Sequence, residues 1–355
     1  MAKPRIIAFY LPQFHTIPEN DEWWGKDFTE WTNVKKTKPL FLSHNQPRVP
    51  LNKNYYDLMN PETFLWQTEL AKKYNIDGFC FYHYWFDGKL LLEKPLEMWL
   101  KHPEFDRAFC FSWANEPWTR SWDGLNKNIL MPQNYNGEKD IIAHFNYMLP
   151  FFNDSRYIKI DNKPVFVLYR ANSITYLEDM VKIWNELAVK NGFDGVFFVE
   201  TLSHFQKEKQ SEKTKATIFF EPMYATNYKS FVSKCKDYLI NKKHSKRYAT
   251  ASYKEMWNLI LKNEKISDNA WAGAFVDWDN SPRKNMGAFL YRKQTPVLFN
   301  KFFKQAYKKA EKAHCPYIFI NAWNEWAEGT YLEPDEKNQF AYLEIIKEIT
   351  ETVYE

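Results

Sequence analysis

Apolar residues recur along the chain in eight short runs rich in Ile, Val, Phe and Tyr, separated by longer stretches in which apolar positions return every three or four residues. The runs are IIAFYLP at 6–12, GFCFYHYW at 78–85, RAFCFSWANE at 107–116, PVFVLYR at 164–170, GVFFVET at 195–201, TIFFEP at 217–222, WAGAFVDWD at 271–279 and YIFINAWNEW at 317–326. Such runs read as strands and the stretches between them as helices. Asn60 followed by Pro61 fits an N-cap and first helical position ahead of ETFLWQTELAKKY. In ITYLEDMVKIWNELAVK, Ile174, Leu177, Val181, Trp184 and Ala188 form one apolar stripe, and Asn191 with Gly192 closes the helix. Alternating strands and helices define a parallel α/β fold. Eight such units, with no glycine-rich phosphate loop after the first strand, predict a (β/α)8 TIM barrel rather than a doubly wound sheet.

The 355 residues lie within the range of such barrels, so one catalytic domain over 1–355 is expected, with long loops at the C-terminal face of the strands. Two segments exceed the minimal plan: a loop over 13–58, which carries Trp23, Trp24, Glu30 and Trp31 among Pro and Asn, and a basic insertion over 223–266. No internal repeat, low-complexity segment or inter-domain linker interrupts the pattern.

A hydrophobic fraction of 45% with 26% charged residues excludes a disordered chain or a disulfide scaffold. The net charge of +4 is too mild to argue for nucleic acid, and the lysine-rich stretch at 234–246 reads as solvated surface. Cys80, Cys110 and Cys315 sit in or beside apolar runs and Cys235 in the insertion, without CxxC spacing, as reduced thiols would. The N-terminal sequence enters a strand directly and no run approaches the ~18 apolar residues of a membrane span. No integral membrane segment and a cytoplasmic location are the expectations.

What changes the picture is aromatic content. With 29 Phe, 22 Tyr and 15 Trp, aromatics make up 19% of the chain, many of them in polar company. A sugar ring offers an apolar C–H face rimmed by hydroxyls, so aromatic platforms ringed by Asn, Asp and Arg suit it; the competing reading makes most of the Phe and about half of the Trp simple core. Because barrel enzymes build their sites at the carboxyl ends of strands, the polar and aromatic strand ends should converge on one mouth. The expected substrate-binding residues are Tyr10, Gln13, His15, Tyr82, His83, Trp85, Trp113, Asn115, Glu116, Trp118, Arg120, Asp277, Asp279, Arg283, Trp323, Asn324 and Trp326, with Trp24 and Trp31 from the first loop.

Glycoside chemistry needs one carboxyl to protonate the departing oxygen and a second group to activate a nucleophile. Glu325 and Glu328, three apart after an apolar strand and flanked by Trp323 and Trp326, are the expected catalytic pair. Their spacing accommodates the carboxyl separations of both retaining (about 5–5.5 Å) and inverting (about 6.5–9.5 Å) chemistry, so it does not set the stereochemistry. Glu116 competes for the acid role, as a supporting carboxylate or a structural partner of Arg120. The Asp277–Asp279 pair resembles the DxD of metal-dependent sugar transferases, but such pairs are common at strand ends; Asp277 with Arg283 is expected to hold sugar hydroxyls or one another. Neither a metal nor a cofactor is expected, and no serine, zinc or P-loop signature is present.

The segments FYLPQFH, DEWWGKDFTEWTNV, GFCFYHYWF, WANEPWTRSWDG, VDWDNSPR and NAWNEWAEGTYLEP together resemble the WbsX-like family of polysaccharide biosynthesis proteins, which is similar to glycoside hydrolase family 99, the endo-α-mannosidases. The resemblance implies a (β/α)8 barrel with both catalytic carboxylates in the NEWxEG motif, at Glu325 and Glu328. By analogy with the hydrolases, the first assists attack by the sugar's own 2-hydroxyl through an anhydrosugar, and the second protonates the departing oxygen. It implies a glycan, or a glycosyl donor and an acceptor, as partners. The expected function is a glycosyltransferase of lipopolysaccharide O-antigen or capsular polysaccharide synthesis; the alternatives are a retaining endo-glycosidase and a non-catalytic glycan-binding protein, the last disfavoured by the intact glutamate pair. No sequence feature sets an oligomeric state.

Overall fold

The computed structural model describes residues 3–120, 125–242, 248–285 and 287–352. Ser121–Gly124 of the WANEPWTRSWDG motif and residues 243–247 of the basic insertion lie outside them. Eight parallel strands close into a barrel: β1 (Arg5–Tyr10), β2 (Gly78–Phe86), β3 (Ala108–Trp113), β4 (Lys163–Leu168), β5 (Phe197–Leu202), β6 (Ala216–Phe219), β7 (Ala270–Phe275) and β8 (Tyr317–Asn321). Each pairs with its neighbour in sequence, and β1 pairs with both β2 (Ala8 opposite Phe79) and β8 (Ile6 opposite Ile318). This is the (β/α)8 barrel that the pattern predicts, with flanking helices.

The eleven described helices are α1 (Pro18–Trp24), α2 (Glu30–Lys36), α3 (Pro61–Lys73), α4 (Lys94–Lys101), α5 (Glu138–Asn153), α6 (Leu177–Lys190), α7 (Phe231–Lys242), α8 (Tyr253–Leu261), α9 (Ser281–Lys284), α10 (Pro296–Lys312) and α11 (Ala341–Glu351). Asn60 caps α3 by accepting from the Glu62 amide, with Pro61 at its first position. Leu177, Val181, Trp184 and Ala188 are the buried stripe of α6. That helix begins at Leu177 rather than Ile174, because a 3₁₀ turn at Ala171–Ser173 brings the chain in first; Ile174 is buried outside the helix. Among the described residues, the connection from β5 to β6 carries no helix. The 13–58 loop holds α1 and α2, and the 223–266 insertion holds α7, α8 and a strand, Tyr248–Ser252, paired in parallel with Ala288–Arg292.

The strands are buried on both sides, and residue parity decides which side a side chain serves. On β2, all nine positions are buried. Phe79 and Phe81 turn outward, packing with Phe64 of α3 or Trp99 of α4. Tyr82 turns inward and stacks on Phe9 at 5.7 Å, with Phe220 and Phe319 also against Phe9. Below them Trp271 lies parallel to both Phe319 and Phe197. Each such ring contributes about 1.5–3 kcal/mol by leaving water, and together they fill the barrel with rings rather than a channel.

At Gly273 the neighbouring strand comes closer than any side chain allows: a Cβ there would sit 1.7 Å from the Phe219 carbonyl oxygen. Gly273→Ala is therefore expected to destabilise by about 3 kcal/mol or more, since the obstruction is backbone. Urea unfolding of the two proteins measures it, and an unchanged midpoint would contradict this packing.

Candidate active site

A small hairpin shapes the end of β8. The strand stops at Asn321; Asn324–Glu325 then pairs with Thr330–Tyr331, and a 3₁₀ turn at Trp326–Glu328 closes the hairpin. Gly329 completes the turn at φ 67°, where a Cβ would also lie 2.9 Å from Asp279, so both conformation and space require glycine. Glu325 thus ends the short strand and Glu328 ends the 3₁₀ turn that follows it, rather than both lying on a helix extending β8.

A buried acceptor anchors this hairpin. Glu333 receives hydrogen bonds from the Trp326 indole (2.6 Å), Gln67 (2.7 Å) and the Tyr56 hydroxyl (2.9 Å). Burial pushes its pKa up to about 7 against the pull of these donors. Trp31 packs between Phe14, Tyr56 and Trp326, fastening the first loop to the hairpin. Asn324 bonds both the amide and carbonyl of Leu11, and Trp323 packs edge-on with Phe79. Trp31, Trp323, Asn324 and Trp326 therefore stand behind the carboxylates and position them.

Arg283, from α9, is the centre of the site. Its Nη2 lies 3.1 Å from both Glu30 and Glu325, and its Nη1 pairs with Glu328. Burial disfavours its charge, but Glu30, Glu328 and Glu325 outweigh burial and raise its pKa. Burial pushes Glu325 up to about 8; Arg283 opposes the shift, while Glu328 and Glu30 add to it. Burial also raises Glu30, which is wholly enclosed, against the pull of Arg283.

These groups border a cavity of about 420 Å³ at the carboxyl ends of the strands. Of the sequence-predicted residues, Gln13, Trp24, Tyr82, Glu116, Trp118, Arg283, Glu325 and Glu328 line it. Tyr84, Tyr169, Phe220, Met223 and Trp278 line it as well, although the sequence pattern does not select them, nor Glu30 behind them. Glu116 pairs with Arg170 at 2.9 Å rather than with Arg120, which reaches the Trp23 carbonyl; burial raises the Glu116 pKa against the pull of Arg170.

The structure does not bring the remaining predicted residues to this cavity, and for those on strands, Tyr10, His83, Trp85 and Trp113, parity gives the reason. Tyr10, on the outer face of β1, donates to Gln67 of α3. His83 bonds His144 of α5, Trp85 stacks on His144 and donates to Asp140, and Trp113 donates to the Trp85 carbonyl, all outside the barrel. Asn115 ties the Arg170 backbone, and His15 is buried apart from the cavity. Asp277 and Asp279 turn to the opposite side of their segment from Trp278. Asp277 pairs with Arg48 at 2.8 Å instead of Arg283, and Asp279 accepts from Gln46 and contacts His44, each at 2.8 Å. Burial would raise Asp279, but His44, Arg48 and Gln46 hold it well below the usual range. Both aspartates border a second cavity, of about 420 Å³, lined also by Phe41 and Arg292.

A closed (β/α)8 barrel with acidic, aromatic walls around its mouth has the architecture of a carbohydrate-active enzyme. The model of the family "Glycosyltransferase WbsX" matches residues 6–346, and the chain belongs to that family. It is 32% identical over 347 residues to the WxcX protein of Xanthomonas campestris pv. campestris, in each of two strains. That match covers 97% of the chain and 49% of WxcX, so the chain spans about half the length of these relatives. Among solved structures, the GH99 endo-α-mannosidase of Bacteroides thetaiotaomicron shares the fold, with a TM-score of 0.58 at 16% identity over 97% of this chain and 95% of that one. A glycoside hydrolase-like protein matches with a TM-score of 0.58 at 13% identity, covering 99% and 95%.

Removing the guanidinium leaves buried carboxylates without their counter-charge. Arg283→Gln is expected to cost about 3–5 kcal/mol at pH 8, and less at pH 5. Carboxyls whose folded pKa is raised bind protons that the unfolded chain has released, so their penalty grows as pH rises and fades as pH falls. Urea unfolding at both pH values checks this; an equal loss at each would contradict the charge argument.

Proposed function

We propose that the protein is a glycosyltransferase of lipopolysaccharide O-antigen or capsular polysaccharide synthesis, with Glu325 and Glu328 as its catalytic residues. The observation that carries this reading is the convergence of both glutamates on one cavity, in contact with one buried guanidinium and under aromatic walls. Membership of the WbsX family supports transfer over hydrolysis. Gln13, Trp24, Tyr82, Glu116 and Trp118 are the proposed substrate-binding residues.

In this reading the Glu325 carboxylate accepts the proton of the donor sugar's 2-hydroxyl as O2 attacks C1, and Glu328 protonates the oxygen that leaves C1. The acceptor hydroxyl then gives its proton to Glu328 and attacks C1, the O2–C1 bond breaks, and Glu325 returns its proton to O2. The configuration at C1 is retained. Burial raises the pKa of Glu325, which suits a group that takes up a proton in the first step and returns it in the second. In this reading the bound sugars and the aromatic walls together exclude water, which favours an acceptor hydroxyl at the second step.

Likeness in fold to the endo-α-mannosidase supports a second reading, hydrolysis by the same pair. A mass-spectrometric product scan separates the two: extension of an acceptor that requires a sugar nucleotide supports transfer, and shortening of α-linked oligosaccharides without one supports hydrolysis. Glu325→Gln and Glu328→Gln are each expected to lower the rate about 10²–10⁴-fold; full activity in both would sink the assignment. A donor with an activated leaving group should restore the first step in Glu328→Gln and not in Glu325→Gln. The reverse pattern would exchange their roles.

A further inference from the structure

Helix α7 is amphipathic the wrong way round for a helix that packs on a core. Its buried positions are Ser233 and Asp237. Asp237 is ion-paired with Lys229 and with Arg292, the latter at 3.0 Å. Asn241 brackets Thr250, donating to its carbonyl (3.1 Å) and accepting from its amide (2.8 Å). These polar contacts fix the rotation of the helix about its axis. The face turned outward is apolar: Phe231 is 80% exposed, Val232 76%, Tyr238 69% and Leu239 62%. Counting Tyr228 just ahead of the helix, five of the eleven exposed large apolar side chains among the described residues lie between 228 and 239.

At 100° per residue, Tyr238, Phe231, Cys235, Leu239 and Val232 sweep an arc of about 120°. Lys234 borders that arc on one side and Lys236 on the other, and exposed Lys242 stands at its carboxyl end. An apolar stripe edged by lysines is what an anionic bilayer surface takes: the rings and aliphatic chains enter the acyl boundary while the ammonium groups meet the head groups. Among the described residues no helix is long and apolar enough to cross a membrane, so the contact would be peripheral. The helix belongs to the connection that leaves the carboxyl end of β6, as do the cavity residues Phe220 and Met223.

We propose that the outward face of α7, formed by Phe231, Val232, Tyr238 and Leu239 with Lys234, Lys236 and Lys242, docks the protein on the surface of an anionic phospholipid bilayer. The docking does not depend on the catalytic reading. The test is flotation of the full chain with vesicles of phosphatidylglycerol and phosphatidylcholine in equal parts, against vesicles of phosphatidylcholine alone. The wild type should float with the mixed vesicles, less so as salt rises. Changing Phe231, Val232, Tyr238 and Leu239 to Ser should abolish flotation. Lys234→Ala, Lys236→Ala and Lys242→Ala together should lower partitioning about 100-fold. Neither set touches the buried polar side of the helix, and circular dichroism and thermal midpoints should match the wild type. As a second readout, an environment-sensitive fluorophore on Cys235, the exposed cysteine among three buried ones, should shift to the blue with the mixed vesicles. Failure of the wild type to float, or equal flotation with both vesicle types, overturns the proposal. So does a dimer that the serine variant dissociates in the absence of vesicle binding, which would assign the face to a second copy of the chain.

Discussion

A guanidinium taken out of water costs several kcal/mol unless opposite charge meets it, and Arg283 meets three carboxylates. Those partners come from two distant places, Glu30 on α2 in the first loop and Glu325 and Glu328 on the hairpin after β8. The need to compensate one buried cation therefore draws together segments nearly 300 residues apart. Barrel closure brings β1 beside β8, and the Arg283 contacts turn that closeness into a fixed geometry. The result is a carboxylate pair whose orientation does not wait for a ligand. The Glu333 hub and the Trp31 cluster support it from behind, since three donors on one buried acceptor leave the hairpin little freedom.

The strands were readable because a strand covered on both faces is a continuous apolar run, and β2 and β8 are such runs in the sequence. The closure of the sheet followed from their number and from the lack of a phosphate loop after the first one. Less of the site was readable. The sequence pointed to strand ends as a group, yet neighbours on a strand face opposite ways: Tyr82 enters the cavity while His83 and Trp85 are spent on α5. Counting parity from the inward Cys80 and Tyr82 would have selected Tyr84 and set aside His83. Glu30 and Arg48 carried no such signal. They lie in a loop whose path depends on where Trp31 and Tyr56 find partners, and no local periodicity encodes that. The displacement of Arg120 by Arg170 beside Glu116 is likewise a matter of tertiary reach.

Aromatic abundance, read as sugar platforms, divides between two tasks. Most rings form the barrel's interior and its contacts with the helices, as Phe9, Trp271 and Phe319 do inside and Phe81 and Trp99 outside. A smaller set at the mouth, with Tyr82, Tyr84, Trp118 and Trp278, shapes the cavity wall. The distinction lies in height along the strand rather than in composition, because a ring below the mouth meets other rings and one at the mouth meets open space.

The segment Asp277–Trp278–Asp279 is a partition one residue thick. Its tryptophan serves one cavity and its two aspartates the other, where they hold Arg48, His44 and Gln46 of the first loop. Substitution within such a partition alters one compartment at a time. A change of length is different in kind: inserting or deleting a single residue would exchange the two sides, presenting carboxylates to the cavity of Glu325 and Glu328 and an indole to the arginine. Length at this point is therefore constrained more severely than identity, and the two compartments are bound to vary together whenever the chain gains or loses a residue there.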